Sequence, residues 1–533
     1  MAAVSDRRAR MAAVARIPSA PDADPLVGFS RPTSAWFRSV FAAPTPAQSA
    51  AWQAIGSGEH TLVVAPTGSG KTLAAFLHSL DRLARLTDHG KVRVLYVSPL
   101  KALAVDVERN LRAPLRGIQS AAERLGLPLP DIRVAVRSGD TTAAERRAMG
   151  IHPPDILITT PESLFLILSS QASAMLDQVD TIIVDEVHAL AGTKRGAHLM
   201  ISLERVAALA DSRDPQRIGL SATVRPTQQV ADFLGGNRPV RVVEPVMPKT
   251  WDVQVRVPMD DMTELSRPAP ATSDHDEPAS QSIWPFIEEQ ILDQVESHRS
   301  TICFVNSRRV AERLTAHLNE LHAARTEEVP EPSRLPADGI ARSSISRGVD
   351  ADTHPVIARA HHGSISKQRR LQLEADLKSG RLPCVVATSS LELGIDMGVV
   401  DLVIQVQAPP SVASGLQRVG RSGHRVGEVS RGVIFPTSRG DLLECAVITS
   451  RMTAGEIEHL HRLRNPLDVL AQQVLSMCLD ASPTSAELYQ LIRRTDPFRQ
   501  LPRTAFDAVL DMLTGRYPSE DFAELRPRLT WDR

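Results

Sequence analysis

Cysteine is scarce and scattered in this chain: Cys303, Cys384, Cys445 and Cys478 are the only 4 in 533 residues, and they form no C-x-x-C pair and no Cys/His cluster. That argues against a zinc or iron–sulfur site built from them and fits reduced thiols. Aromatic residues make up only 4%, too few for a protein that holds single strands chiefly by stacking. Neither sign of charge dominates, since 61 Lys plus Arg face 62 Asp plus Glu. Bulk basicity of the histone kind is missing, and any polyanion must be held in a local groove. Long apolar runs are missing too. The N-terminal stretch, rich in Ala, Arg and Pro, holds no secretory core, and nothing later reaches transmembrane length. The expectation is a soluble, cytoplasmic protein with no membrane partner.

At 533 residues the chain exceeds one ordinary core and predicts about three compact units. From Trp36 to Val240, short apolar runs alternate with longer helical patterns: TLVV at 61–64, VRVLYV at 92–97, ILIT at 156–159 and TIIV at 181–184. That rhythm predicts a doubly wound, parallel α/β sheet. It resumes with TICFV at 301–305, CVVAT at 384–388, LVIQV at 402–406 and GVIF at 432–435, predicting a second such lobe. Between them the stretch from Pro258 to Ser282 is polar, acidic and Pro-rich, with too little apolar surface to fold alone. A second polar insertion runs from Ala323 to Thr353. After Asn465 the pattern turns helical, with Asn465 as expected N-cap, Pro466 first in the helix, and Leu467, Leu470, Ala471, Val474 and Cys478 on one apolar face. Thr484 with Glu487 forms a capping-box pattern, and Thr504 precedes Phe506, Val509, Leu510 and Leu513 at helical spacing. The expected divisions are a disordered terminus at 1–28, a first lobe at 29–245, a linker or insertion at 246–282, a second lobe at 283–455 and a helical unit at 456–533.

The first strand runs into Ala65-Pro66-Thr67-Gly68-Ser69-Gly70-Lys71-Thr72. A glycine-rich turn of this kind exposes backbone N–H groups to phosphate, and the helix start behind it adds partial positive charge. In such a P-loop, Pro66, Thr67, Gly68, Ser69 and Gly70 cradle the phosphates of ATP, Lys71 reaches the β- and γ-phosphates, and Thr72 ligates Mg²⁺. The second requirement is an acid at the end of a neighbouring strand, and TIIV is followed by Asp185-Glu186-Val187-His188. The two carboxylates take different jobs: Asp185 holds Mg²⁺ through water, while Glu186 orients and deprotonates the attacking water.

With these motifs in place the chain resembles superfamily 2 helicases over roughly 29–440, because the remaining motifs follow in that superfamily's order. Thr45-Pro46-Ala47-Gln48 resembles the motif whose Gln48 amide reads adenine. Ser98-Pro99-Leu100-Lys101-Ala102-Leu103, Gly139-Asp140 and Thr159-Thr160-Pro161-Glu162-Ser163 are similar to first-lobe nucleic-acid motifs, which implies contacts at Pro99, Lys101, Thr160, Pro161 and Glu162. Ser221-Ala222-Thr223 resembles the coupling motif, whose Ser221 and Thr223 hydroxyls turn toward His188. In the second lobe, Asn306-Ser307, Gly363-Ser364 and Thr388-Ser389 resemble backbone-tracking loops, and Asp396 corresponds to a ribose contact. Gln417-Arg418-Val419-Gly420-Arg421-Ser422-Gly423-His424-Arg425 resembles the arginine-finger motif, with Arg421 as the finger. Many relatives carry Arg where this chain has His424, so a second finger stays open, with Arg425 as the alternative.

A finer resemblance, carried by Asp-Glu-Val-His, by Gln-Arg-Val-Gly-Arg-Ser-Gly-His-Arg and by Asn-Pro-Leu-Asp-Val-Leu-Ala-Gln-Gln at 465–473, is to the large helicase-related (Lhr) family. It implies two tandem RecA-like lobes followed by a winged-helix domain, here partial. It also implies an ATPase driven by single-stranded DNA that moves 3′ to 5′, unwinds DNA or RNA:DNA duplexes and serves DNA repair at the nucleoid. Two competing expectations are a DEAD-box-like remodeller of RNA and an ATP-gated nucleic-acid-binding scaffold. ABC-type and metabolic P-loop enzymes fit poorly, because no L-S-G-G-Q signature occurs and the second-lobe motifs would have no purpose.

Overall fold

The computed structural model describes residues 24–66, 68–210, 214–247, 249–259, 262, 282–327, 356–394, 398–423, 427–479, 481–516 and 526–532. Thr67, Asp396 and Arg425, all expected at the nucleotide, lie outside these, as does most of both polar insertions.

Seven strands build the first sheet: β1 (Thr61–Val64), β2 (Val94–Val97), β3 (Val134–Arg137), β4 (Ile156–Thr159), β5 (Thr181–Val184), β6 (Gln216–Ser221) and β7 (Arg241–Val243), in the order β3-β4-β2-β5-β6-β1-β7. Every pairing is parallel. Strands β1, β2, β4 and β5 are buried along their whole length, which is why they read as unbroken apolar runs. Alternate residues feed opposite cores. Val63, Tyr96 and Ile183 enter one with Trp36, Trp52 and Phe76, whereas Leu62, Leu95 and Ile182 enter the other with Leu199 and Leu203. Residues 24–28 also belong to this lobe, contrary to the expected loose terminus: Leu26 is buried in the first core and its carbonyl accepts from Ser34 Oγ at 3.3 Å.

The second sheet holds β8 (Trp251–Val255), β9 (Thr301–Phe304), β10 (Ala358–His361), β11 (Cys384–Ala387), β12 (Leu402–Val406) and β13 (Ser430–Phe435), all parallel in the order β10-β11-β9-β12-β13-β8. The expected linker at 246–282 therefore supplies an edge strand, with Trp251 opposite Ser430 and Val255 opposite Ile434. Asp252 and Gln254 face solvent there, so the strand's short polar alternation hides it in a polar stretch. Residues 323–327 likewise continue the helix Arg308–Glu327 rather than opening an insertion.

After the helix Arg439–Ala454 the chain returns to the first lobe. Helices Leu467–Met477, Ser485–Arg493 and Arg503–Leu513 pack Val469, Leu470, Ile492 and Phe506 against Ala197 and Ile201 of the first-lobe helix Lys194–Leu209. Polar groups stitch the same seam. Arg205 donates to Gln473 Oε1 at 3.1 Å and to Ser476 Oγ at 3.0 Å, and Gln473 Nε2 donates to His198 O at 3.0 Å. Asn465 does not cap this helix; its φ of 46° is left-handed and Pro466 takes the cap place. Thr484 makes both bonds of its capping box with Glu487, whereas Thr504 lies inside its helix, which Pro502 caps.

Candidate nucleotide cleft and nucleic-acid interface

Three adjacent strands of the first sheet, β5, β6 and β1, end in the nucleotide motifs, at the carboxyl edge where parallel sheets bind ligands. Beyond β1, Gly70 caps the helix Lys71–Leu83 at φ 78°. That φ calls for glycine, and a Cβ there would also displace the Gln48 amide, whose Nε2 would lie 2.5 Å away. Buried Lys71 donates from Nζ to Ala65 O at 2.5 Å and to Pro66 O at 2.9 Å. Burial lowers its pKa, opposed by the Glu186 and Asp185 carboxylates. Ser69 Oγ donates to Pro66 O at 2.8 Å, closing the turn beside Gly68. Gln48 is buried against that turn: Nε2 donates to Gly70 O at 3.4 Å and Oε1 accepts Thr45 N–H at 2.9 Å. Its amide thus braces the P-loop and caps the helix Pro46–Gly56.

At the end of β5 the paired carboxylates part. Asp185 accepts from Tyr96 OH at 2.5 Å and from the Glu186 N–H at 2.9 Å. Burial first, then the Glu186 charge, pushes its pKa up to about 7. Glu186 sits at φ 45°, a left-handed conformation costing a non-glycine residue about 1–2 kcal/mol. That turn carries its side chain to the second lobe, where a Cβ on Gly394 would lie 2.8 Å from Glu186 Oε1. Asp185 and Thr72, which follows Lys71 at the helix start, offer only oxygen, the chemistry that suits Mg²⁺ completed by phosphates and waters.

His188 joins the lobes. Its Nδ1 accepts the Ala222 N–H at 3.2 Å and lies 3.3 Å from Ser221 Oγ and 3.4 Å from Glu186 Oε2. Burial lowers its pKa, keeping the ring neutral with the proton on Nε2. That nitrogen is 2.8 Å from the Gln417 side-chain amide, whose oxygen is the atom able to accept from it. Of the two hydroxyls expected to turn toward His188, that of Ser221 lies beside it. Thr223 is exposed, and the Ala222 N–H occupies the place expected for its hydroxyl.

Arg421 is buried at the cleft wall, donates from Nη2 to Glu392 O at 2.9 Å, and its charge acts on Lys71. Arg418, one turn earlier, is spent inside the lobe on Glu392 Oε2 at 2.9 Å, Gln405 Oε1 at 2.9 Å and Asn306 Oδ1 at 3.2 Å. Of the two arginines, Arg421 is the one whose charge acts on the P-loop lysine.

The expected nucleic-acid residues fall on the other half of each sheet, after the neighbouring strands β4 and β2 in one and β10, β11 and β9 in the other. Lys101 pairs with Asp140 at 2.7 Å, linking two of the motif loops. Thr160 donates to Ser163 Oγ at 3.1 Å and Pro161 opens the helix Pro161–Leu168. Glu162 grips Arg195 with both carboxylate oxygens, at 2.5 and 2.9 Å, and Arg195 donates to Pro99 O at 2.6 Å. This pairing ties the Pro99 loop to the start of the helix Pro161–Leu168. Asn306 also braces, donating to Ala408 O at 2.9 Å, whereas Ser364 accepts from Arg308 at 2.7 Å beside Gly363. Ser307 Oγ accepts the Val310 N–H at 3.2 Å, and Thr388 caps a short turn beginning at Ser389. Tyr96, Arg195 and Gln417 are not among the expected site residues; Gln417 opens the finger motif, but no local pattern marks Tyr96 or Arg195, and the partners of all three lie far away in sequence.

Two parallel-sheet lobes, with a P-loop and paired carboxylates on one wall and a buried arginine on the other, define a helicase core. The DEAD/DEAH box helicase family matches residues 45–232, the helicase conserved C-terminal domain 346–426, and the large helicase-related protein winged helix domain 450–533. The chain is 58% identical over 517 residues to the Lhr helicase/probable uracil glycosylase of Mycolicibacterium smegmatis, covering 96% of this chain and 33% of that protein. It is 41% identical over 497 residues to the ATP-dependent helicase Lhr-Core protein 2 of Thermococcus barophilus, covering 91% and 52%. A solved structure, the Mycobacterium smegmatis helicase Lhr bound to ssDNA and AMP-PNP, matches at TM-score 0.83 and 56% identity over 96% of this chain and 60% of that one. The chain belongs to the Lhr helicase family. It spans 33% of the bacterial relative's length and 52% of the archaeal one's. Among the described residues no helix is long and apolar enough to cross a membrane.

Proposed function

We propose that this chain is the motor portion of an ATP-dependent DNA helicase: a Mg²⁺-dependent ATPase stimulated by single-stranded DNA, moving 3′ to 5′, separating DNA or RNA:DNA duplexes and serving DNA repair at the nucleoid. The observation that carries the proposal is His188, which joins the Glu186 side of the cleft to Ser221 and Ala222 of its own lobe and to Gln417 of the other. One imidazole therefore connects the attacking-water position to both walls, as an engine driven by the γ-phosphate requires. The relative solved with ssDNA and AMP-PNP supports the choice of DNA and ATP. The 58%-identical relative, an Lhr helicase/probable uracil glycosylase, supports a repair setting.

Glu186 accepts a proton from water as that oxygen bonds to the γ-phosphorus, and the bond from phosphorus to the β-bridging oxygen breaks, leaving ADP and phosphate. Lys71 leaves the Ala65 and Pro66 carbonyls for the β- and γ-phosphates, and Arg421 stabilises charge on the transferring group. Asp185 and Thr72 would hold Mg²⁺, which supplies further positive charge to the phosphate oxygens when bound. The Pro99, Lys101, Thr160, Ser307, Ser364, Thr388 and Ser389 loops hold the strand by its backbone. Loss of the γ-phosphate lets the lobes part, and each cycle steps the strand.

Strand displacement on duplexes with a 3′ or a 5′ single-stranded tail tests this. Unwinding of 3′-tailed DNA and RNA:DNA duplexes with ATP is expected; unwinding only from 5′ tails, or only of RNA duplexes, would overturn it.

A further inference from the structure

The crossing from β7 in the first sheet to β8 in the second brings Lys249 to the cleft. Its Nζ lies 4.9 Å from the Trp251 ring centroid and donates to Gly420 O at 3.4 Å, the carbonyl just before Arg421. The charges that act on it are those of Arg421 and Lys71, both cationic. Burial first, then those two cations, brings its pKa down to about 8. Contact with one indole face and one carbonyl is a small return for drawing an ammonium out of water. A leucine would cover the ring without that desolvation. Among the described residues no carboxylate pairs with Lys249, whereas Lys71 is opposed by Asp185 and Glu186. Lys249 thus sits beside the finger motif, and its charge acts together with those of Arg421 and the P-loop lysine, so an anion bound there would offset positive charge from three segments.

We propose that Lys249 is a phosphate-binding residue of the cleft, contacting the terminal phosphate of a nucleoside triphosphate. The assignment rests on the ATPase function proposed above. It gives the interlobe crossing its own contact with the nucleotide, one that distinguishes triphosphate from diphosphate. The terminal phosphate is favoured because Lys249 bonds the residue beside Arg421, the group assigned above to stabilise the transferring phosphoryl.

The test is titration of the full chain and its Lys249→Gln and Lys249→Arg variants with Mg²⁺-AMP-PNP and with Mg²⁺-ADP, alongside unfolding midpoints without nucleotide. One charge-assisted hydrogen bond predicts that Lys249→Gln weakens AMP-PNP by about tenfold or more and ADP by less than about twofold. Lys249→Arg should recover most of the loss. Unchanged AMP-PNP affinity in Lys249→Gln would overturn the proposal. Equal weakening of both nucleotides together with a lowered midpoint would also overturn it, reducing Lys249 to packing on Trp251. Wild-type chain that binds neither nucleotide would sink the ATPase function itself, and this assignment with it.

Discussion

Glu204 is fully buried at the seam between the first lobe and the C-terminal helices, and three arginines converge on it: Arg217 at 2.7 Å, Arg238 at 2.6 Å and Arg494 at 3.0 Å. Glu204→Gln keeps the shape and removes the charge. Arg238 retains Asp214, and Arg494, 38% exposed, can turn to water. Arg217, 1% exposed, is left as a buried cation without its carboxylate, although Nη1 still donates to Leu234 O at 3.0 Å. Orphaning one member of a buried pair costs about 3–5 kcal/mol, and the surviving bonds place this case near the lower end, about 3 kcal/mol. Loss of helical signal in urea reads it. Adding Arg217→Met removes the orphan and should recover at least about 1 kcal/mol, a non-additivity expected of directly paired groups. Burial pushes the Glu204 pKa up, but Arg217 and Arg238 more than offset this and leave it lowered. Its stabilisation is therefore present above the unfolded carboxylate range and lost as pH falls below about 4, and Glu204→Gln should flatten that window. A Glu204→Gln protein within about 1 kcal/mol of wild type, or strict additivity with Arg217→Met, would refute the reasoning.

Gln417→Leu removes the second-lobe partner of His188, so nucleotide binding should persist while stimulation of ATP hydrolysis by single-stranded DNA falls at least about fivefold; unchanged stimulation would discard His188 as the link. Glu186→Gln should bind ATP and DNA yet lose turnover by about 100-fold or more in single-turnover assays, and normal turnover would remove it as the base. Backbone gripping predicts that the logarithm of single-strand affinity falls linearly with the logarithm of salt concentration, whereas a flat dependence in fluorescence anisotropy would contradict it.

The nucleotide half of the site was legible because its chemistry is local. Gly70, Lys71, Asp185 and Glu186 sit at the ends of buried strands whose apolar runs announce themselves, and left-handed or crowded positions such as Gly70 leave a residue signature. Strand β8 was missed because an edge strand with two exposed polar residues looks like linker. The return of the C-terminal helices to the first lobe left no signal, since Gln473 and Arg205 meet across the whole second lobe. The same holds for Gln417 on His188 and Lys249 beside Gly420. Arg418 and Arg421 share a motif and a charge, and only packing separates them: Arg418 bonds the Glu392 and Gln405 side chains, whereas Arg421 bonds the Glu392 carbonyl and its charge acts on Lys71. The partner of Glu162 was equally hidden: its motif is local, but its carboxylate holds Arg195, 33 residues away.

The most direct measurement of the central claim is ATP hydrolysis by this chain without nucleic acid, with single-stranded DNA and with single-stranded RNA, with Lys71→Ala as the blank. Stimulation by DNA that disappears in Lys71→Ala is the predicted result; stimulation by RNA alone, or hydrolysis indifferent to both strands, would contradict a DNA-driven motor.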